Sequence, residues 1–296
     1  MSHPDTLPGQ LLTALLGPGA TGPRLTWYGV DGERTELSGR VLGNWVTKAA
    51  NLLVEEADAG PGTVVVLDLP VHWRTLVWAL GSWVAGAQVT LPSEDLLDED
   101  EDADAPDVVV TSRPGESPGE DDAELVLAVA LPALAMRWDG DPLGASVVDA
   151  AAELMTFGDQ LGYVSEPEST DLALVNENLE VTYGDLAGWA TGAAEEDDID
   201  ADDVDLEPGY EDELDTVDRP DDDAAVVPAE EDDIDADERP SAAPVRALLA
   251  PDDVADLLEQ AVRTWHGGGS VVLVEPGLPA DVRRRVAEDE RVDSRL

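Results

Sequence analysis

The run Thr63–Pro92, "TVVVLDLPVHWRTLVWALGSWVAGAQVTLP", constrains this chain more than any other stretch. Its first segment, "TVVVLDLP", is apolar and β-branched and is bounded by turn residues, the pattern of a strand buried on both faces. "VHWRTLVWALGSWVAGA" follows as a helix and "QVTLP" as a second strand. Two strands joined through a helix run parallel, whereas a tight hairpin would make them antiparallel. Parallel sheets are covered on both faces, so the chain is read as α/β, with helices packed on parallel-rich βαβ layers. Thr75–Leu91 carries no charge. It is nevertheless too short for a membrane span and is interrupted by Gly, Ser, Thr and Gln, so it is read as buried helix and strand.

The same signals continue on either side. Residues 7–16 read as a short helix before a Gly/Pro-rich turn. "RLTWYG" and "ERTEL" read as hairpin strands around the Asp-Gly step of "VDGE". "SGRVLGNWVTKAANLLVEEA" reads as a helix with Ser38 at its N-cap and an apolar face running from Val41 to Leu53. "DVVVTS" and "ELVLAVAL" read as strands, and "ASVVDAAAELMTFGDQ" as a helix. "DLALVNENLEVTYGDLAGWATGAA" reads as strand, Asn-rich turn, strand and helix. "VRALLAPDDVADLLEQAVRTWHGGGSVVLVEP" gives strand, helix and strand, and "ADVRRRVAEDERV" a short charged helix.

The second half echoes the first. "ERTELSGRVLGNWVTKAANLL" leads to a strand, a helix and "QVTLP"; "LEVTYGDLAGWATGAA" leads to a strand, a helix and "SVVLVEP". This is read as a structural repeat of two pseudo-equivalent βαβ layers. The expected organisation is a first βαβ half over 1–92, an acidic linker and strand over 93–123, and a continuation over 124–194. An acidic, low-complexity insert follows over 195–239, and the second βαβ half over 240–296. The insert holds the octet "EEDDIDAD" twice, at Glu195–Asp202 and Glu230–Asp237. In the first half the equivalent joint is the short "VEEADAGPG", so the octets fall in an expanded helix-to-strand loop, which closure entropy tolerates. Their D-x-D-x-D pattern is not an EF-hand. The sixth and twelfth loop positions hold Asp203 and Gly209, or Glu238 and Pro244, in place of Gly and Glu. No metal site is assigned.

Composition then excludes classes of function. A formal charge of −51 argues against nucleic acid, whose phosphates need a basic face, and against anionic membrane surfaces. There is no cysteine, hence neither disulfide nor thiolate metal site. The N-terminus lacks the basic region of a signal peptide, so the cytoplasm is the expected compartment. Lys48 is the only lysine.

With those residues in view, "LTWYGVDGERTELSGRVLGNWVTKAANLLVEE" and "GPGTVVVLDLPVHWRTLVWALGSWVAGAQV" together resemble the N-terminal domain of adenylate-forming enzymes, the acyl-CoA synthetase, luciferase and peptide-synthetase adenylation group. "ERTELSGRVLGNWVTKAANLL" with "LPVHW" and "LGSWVAGA" is similar to a small actinobacterial family of truncated homologues with no assigned reaction. The match is good over 24–92, looser over 124–190 and 245–292, and leaves the acidic insert outside. The resemblance implies the two sheet subdomains without the C-terminal lid domain, and it is the sole ground for considering ATP or AMP. The family's phosphate loop, rich in Ser, Thr and Gly and ending in Pro-Lys-Gly, has no counterpart near "DLALVNENLEVTYGDLAG". Two aspartates stand in "RALLAPDDVAD" where the family has an aromatic–His segment, and Lys48 matches neither of the family's lysine roles. No catalytic residue is assigned. The expectation is a catalytically degenerate homologue that keeps a ligand-binding or protein-interaction role. Alternatives are an enzyme completed by a partner protein, or an acidic interaction protein acting through 195–239. The partner is an unidentified small molecule or protein.

Two residue sets are candidates for binding. Open parallel sheets take ligands beyond the carboxyl ends of their strands. His72 and Trp73 follow the strand "TVVVLDLP", and Asp252 and Asp253 follow "RALLAP". The bland account has these residues starting helices, with Asp favouring the positive end of the dipole and His72 exposed. Asn44, Lys48 and Asn51 share a helix stripe, which could serve a ligand but is read first as a solvated polar face. "HGGGS" at 266–270 precedes a strand instead of a helix N-terminus and is not a phosphate loop. Ser146 in "GASVV" lacks the surroundings of a nucleophile elbow.

Overall fold

A computed structural model describes residues 6–92, 105–132, 135–192 and 244–295; both octets lie outside these residues. The chain opens with α1 (Leu7–Leu16) and the hairpin β1 (Pro23–Tyr28) and β2 (Arg34–Ser38). Gly32, at φ +89, takes the left-handed position that closes this hairpin, with its N–H donating to Gly29. The first half continues with α2 (Gly39–Ala57), β3 (Val64–Asp68), α3 (Trp73–Ala85) and β4 (Gln88–Thr90). Ser38 caps α2 by accepting from the Val41 N–H. After β5 (Val108–Thr111) and β6 (Leu125–Ala128) come β7 (Val147–Asp149) and α4 (Ala150–Leu154).

Here the sequence expectation of one helix through "ASVVDAAAELMTFGDQ" needs correction. Val147–Asp149 pairs parallel with β6, and only five residues are helical. Asp149 accepts from the Ala151 and Ala152 N–H groups and so starts the helix at Ala150, more than a turn later than the apolar pattern suggests. The β-branched valine pair before it is free to extend the sheet.

The second half repeats the first: hairpin β8 (Leu172–Asn176) and β9 (Leu179–Thr182), α5 (Leu186–Thr191), then β10 (Arg246–Leu249), α6 (Val254–His266) and β11 (Ser270–Val274). α7 (Ala280–Asp289) and β12 (Ser294–Arg295) follow. Two sheets result, in the orders β12-β10-β11-β1-β2 and β7-β6-β5-β3-β4-β8-β9. The halves exchange hairpins. β4 of the first half pairs parallel with β8 of the second, Val89 opposite Leu174. β11 of the second half pairs parallel with β1 of the first, Val271 opposite Leu25. The order within each exchanged set is the same: strand, crossover strand, hairpin.

One core cluster holds Leu25, Leu249 and Leu273 of the first sheet, Leu67, Val89 and Val110 of the second, and the apolar faces of α1, α2, α3, α5 and α6. Every residue of α3 is buried, which is why its sequence carries almost no charge and no polar face. On the other face of the first sheet, Leu248, Val272 and Val274 pack with Val286 and Ala287 of α7. Among the described residues no helix is long and apolar enough to cross a membrane.

The exchange is fastened at the end of α3. Trp83 donates its indole N–H to the Ala173 carbonyl at 2.7 Å, and the buried Tyr183 hydroxyl lies 2.8 Å from Ala87 O and 3.1 Å from Trp83 O. Burial raises the Tyr183 phenol well above its ordinary pKa, so it stays a donor. Tyr183→Phe is expected to lower unfolding free energy by about 1–2 kcal/mol, because it deprives buried carbonyls of their donor. Urea denaturation of the two proteins checks this; equal midpoints would show that the bond contributes nothing.

Candidate functional site

The carboxyl ends of β3, β4 and β8 and the start of α6 enclose a cavity of about 390 Å³. Leu67, Leu69, Leu91 and Val254 supply apolar walls; Asp68, Asn176, Glu177, Asn178 and Asp253 supply the polar groups. Asp68 ends β3, where parallel pairing with β5 sets Thr111 beside it. Its carboxylate accepts from Thr111 Oγ1 at 3.0 Å and from Arg113 Nη2 at 2.8 and 3.0 Å. That pairing raises the Arg113 pKa. Asn176 accepts from the Asn178 N–H at 2.9 Å, an Asx turn that joins β8 to β9 and brings Glu177 to the rim.

Asp253 caps α6, its carboxylate accepting from the Asp256 N–H at 2.8 Å. Burial, with Asp253 and Asp252 close by, raises the Asp256 pKa, a sign of the negative field at this helix start. Among the described residues the lining therefore joins three carboxylates and two amides to an apolar floor, with no Lys, Arg or His.

Of the residues singled out in the sequence, Asp253 alone lines this cavity; Asp252 is exposed beside it. His72 does start a helix, accepting from the Arg74 N–H at 3.2 Å, but it is not exposed. It is 5% accessible and meets Trp27 edge-on at 4.7 Å. Burial, and then the charge of Arg74, lowers its pKa to about 3, so it is neutral at ordinary pH. Trp73 is buried too, with the Arg74 guanidinium 4.5 Å over its ring and 5.3 Å from that of Trp45.

The polar stripe on α2 also has a different role from the solvated face expected. Asn51 is buried, donates to Gly158 O at 3.2 Å and Gln160 O at 2.9 Å, and accepts from the Gly162 N–H at 2.9 Å. Lys48 donates to Phe157 O and pairs with Asp159 at 2.9 Å. Both hold the segment 157–162 against α2, while Asn44 is half-buried on the same helix. Among the described residues no group of three or more His, Asp or Glu is placed to hold a metal ion.

Sequence reasoning missed Asp68 and the Asn176–Asn178 turn. Asp68 had a signal: it is the one charge inside "TVVVLDLP", at the strand end where ligands bind. The turn was recognised as a turn, but nothing local shows that β8 docks on β4 and carries it to the same edge.

No protein-family model matches the chain. A TIGR03089 family protein of Mycobacterium tuberculosis is 37% identical over 166 residues, which are 54% of this chain and 64% of that protein. An acyl-CoA synthetase of Brucella canis superposes with a TM-score of 0.63 at 16% identity, covering 96% of this chain and 46% of its own. Coronafacic acid ligase of Pectobacterium brasiliense gives 0.60 at 10% identity, covering 98% and 49%. The N-terminal domain of FACL13 from Mycobacterium tuberculosis gives 0.57 at 13%, covering 97% and 61%. The chain thus spans about half the length of that synthetase and that ligase. It carries the fold of the N-terminal part of the acyl-CoA synthetase-type, adenylate-forming enzymes, and it has an actinobacterial relative in sequence.

Proposed function

We propose that this chain is a catalytically degenerate adenylate-forming homologue whose strand-end cavity keeps a small-molecule binding role. The observation that carries this reading is the cavity lining: Asp68, Glu177 and Asp253 face a space with no basic residue among the described lining. A triphosphate does not fit such a set. Its charge needs Lys, Arg or open backbone N–H groups, and the work of an adenylating site is largely the stabilisation of that charge. Arg113, which reaches the lining carboxylate Asp68, is already held by both of its oxygens. The N–H that Asp253 caps at the start of α6 is likewise taken. What remains suits a ligand with an apolar body and hydrogen-bonding groups that tolerate carboxylates and amides.

ATP–pyrophosphate exchange with a panel of carboxylic acids, together with calorimetric titration of ATP, tests the catalytic half. Exchange at the enzyme-free background and no saturable heat are expected; exchange above background, or micromolar ATP binding, overturns the reading. The binding half is tested by a thermal-shift screen of uncharged and cationic small molecules. Hits should vanish in Leu91→Trp, which fills the cavity, while its unliganded melt stays cooperative. Hits that survive that substitution place the ligand elsewhere.

A further inference from the structure

We propose that β2 is the seam of a homodimer, pairing antiparallel with β2 of a second copy of this chain about a two-fold axis at Thr35. This goes beyond the cavity reading and does not rest on it. β2 is the outermost strand of its sheet and the longest edge strand among the described residues. The Gly29 N–H donates to Glu33 O, and the register sets Thr35 opposite Trp27. Bonded and non-bonded positions alternate along an antiparallel pair, so Thr35 spends its backbone groups on β1 while Arg34 and Glu36 turn theirs outward. An open edge of this kind is a template for another strand.

The side chains commit the edge to one occupant. With Thr35 on the axis, Arg34 of each copy faces Glu36 of the other, so opposite charges stand directly across the seam, twice. Both lie on the sheet face toward α7, where Arg34 bonds Glu36 at 2.7 Å and Glu290 at 2.8 Å within one copy. A single lysine at the edge would repel its own symmetry mate; this arrangement matches it. A cavity of about 640 Å³ runs along β2 and α2, where Leu37, Val41, Trp45 and Trp73 line it together with the strand residues 33–36. Val41 is 41% accessible, a large apolar side chain left open there. The same two-fold sets α2 beside α2 of the second copy over the continuous sheet, which covers Val41 and Trp45.

The chain has no cysteine, which gives the seam a clean test. At a non-bonded antiparallel pair the Cα atoms stand about 4.5 Å apart, within disulfide range. Thr35→Cys should therefore cross-link to a covalent dimer under mild oxidation, while Glu180→Cys, on the edge strand β9 of the other sheet, should stay monomeric. By light scattering the unmodified protein should be a dimer that tightens with salt, since each copy carries −51 and screening relieves their repulsion. Glu36→Arg sets like charges across the axis and should weaken the dimer tenfold or more with an unchanged melting transition. A monomer at the highest soluble concentration overturns the proposal. So does equal cross-linking at Glu180→Cys, or an unaltered dimer in Glu36→Arg. A monomer whose Thr35→Cys thiol resists a small thiol reagent overturns it in favour of a segment of the same chain lying on the edge.

Discussion

Acid is expected to erase the advantage of wild type over a His72→Asn variant by about 3 kcal/mol between pH 6.5 and 4. The ring of His72 sits among Trp27, Trp73 and the main chain of α3, and its folded pKa is about 3 against an ordinary 6.5. Between those values the unfolded chain takes up a proton that the folded chain refuses. The stabilisation is complete above pH 6.5 and is lost as pH falls toward 3. Asparagine keeps an oxygen that can accept from the Arg74 N–H and carries no titratable group, so it keeps the cap and drops the proton linkage. Carboxylate protonation also moves the stability of so acidic a chain, but it moves both proteins alike and cancels in the difference. Chemical denaturation of the pair at half-unit pH steps measures it. A difference that stays flat from pH 7 to 4 would mean that His72 is hydrated, contrary to its burial.

The second large effect lies where α2 crosses α3. A Cβ built on Gly81 would stand 2.7 Å from the Ala49 Cβ and 3.3 Å from the Ala50 N, closer than atoms tolerate. The two helices touch through Ala49, Ala50 and Gly81, and both alanines belong to the buried core. Gly81→Ala gains about 1 kcal/mol of helix propensity and still should lose about 1–3 kcal/mol net, because interior overpacking forces backbone apart. Gly81→Leu should abolish the cooperative melt. Ala49→Gly removes the opposing methyl, so the double variant Ala49→Gly/Gly81→Ala should recover most of the loss, a coupling that a double-mutant cycle reads directly. Additive effects in that cycle would show that the helices are not held in contact there.

What the sequence made legible was local. The charge-free run at 75–91, the Asp-Gly turn and the Ser38 cap each state their structure within a few residues, and each element forms there. The three-residue strand Val147–Asp149 was not legible, because only its neighbour β6 makes it a strand. Nor was the role of Asn51, whose partners at 158–162 lie more than a hundred residues away along the chain. The resemblance over 24–92 correctly implied parallel-rich sheets and an N-terminal part of a larger fold. It could not show the cavity. Asp68 and Asp253 come from different halves, and the sheet order that unites them depends on the hairpin exchange.

That exchange also sets the order in which this protein can be made. Leu25 waits for Val271 before the first hairpin has its parallel neighbour. A ribosome must therefore deliver the chain past Val271 before the first hairpin gains its parallel neighbour, and neither half alone completes its sheet. Such distant pairings slow folding and leave strand edges open while the chain emerges. Dense negative charge opposes association between nascent chains while such edges are open.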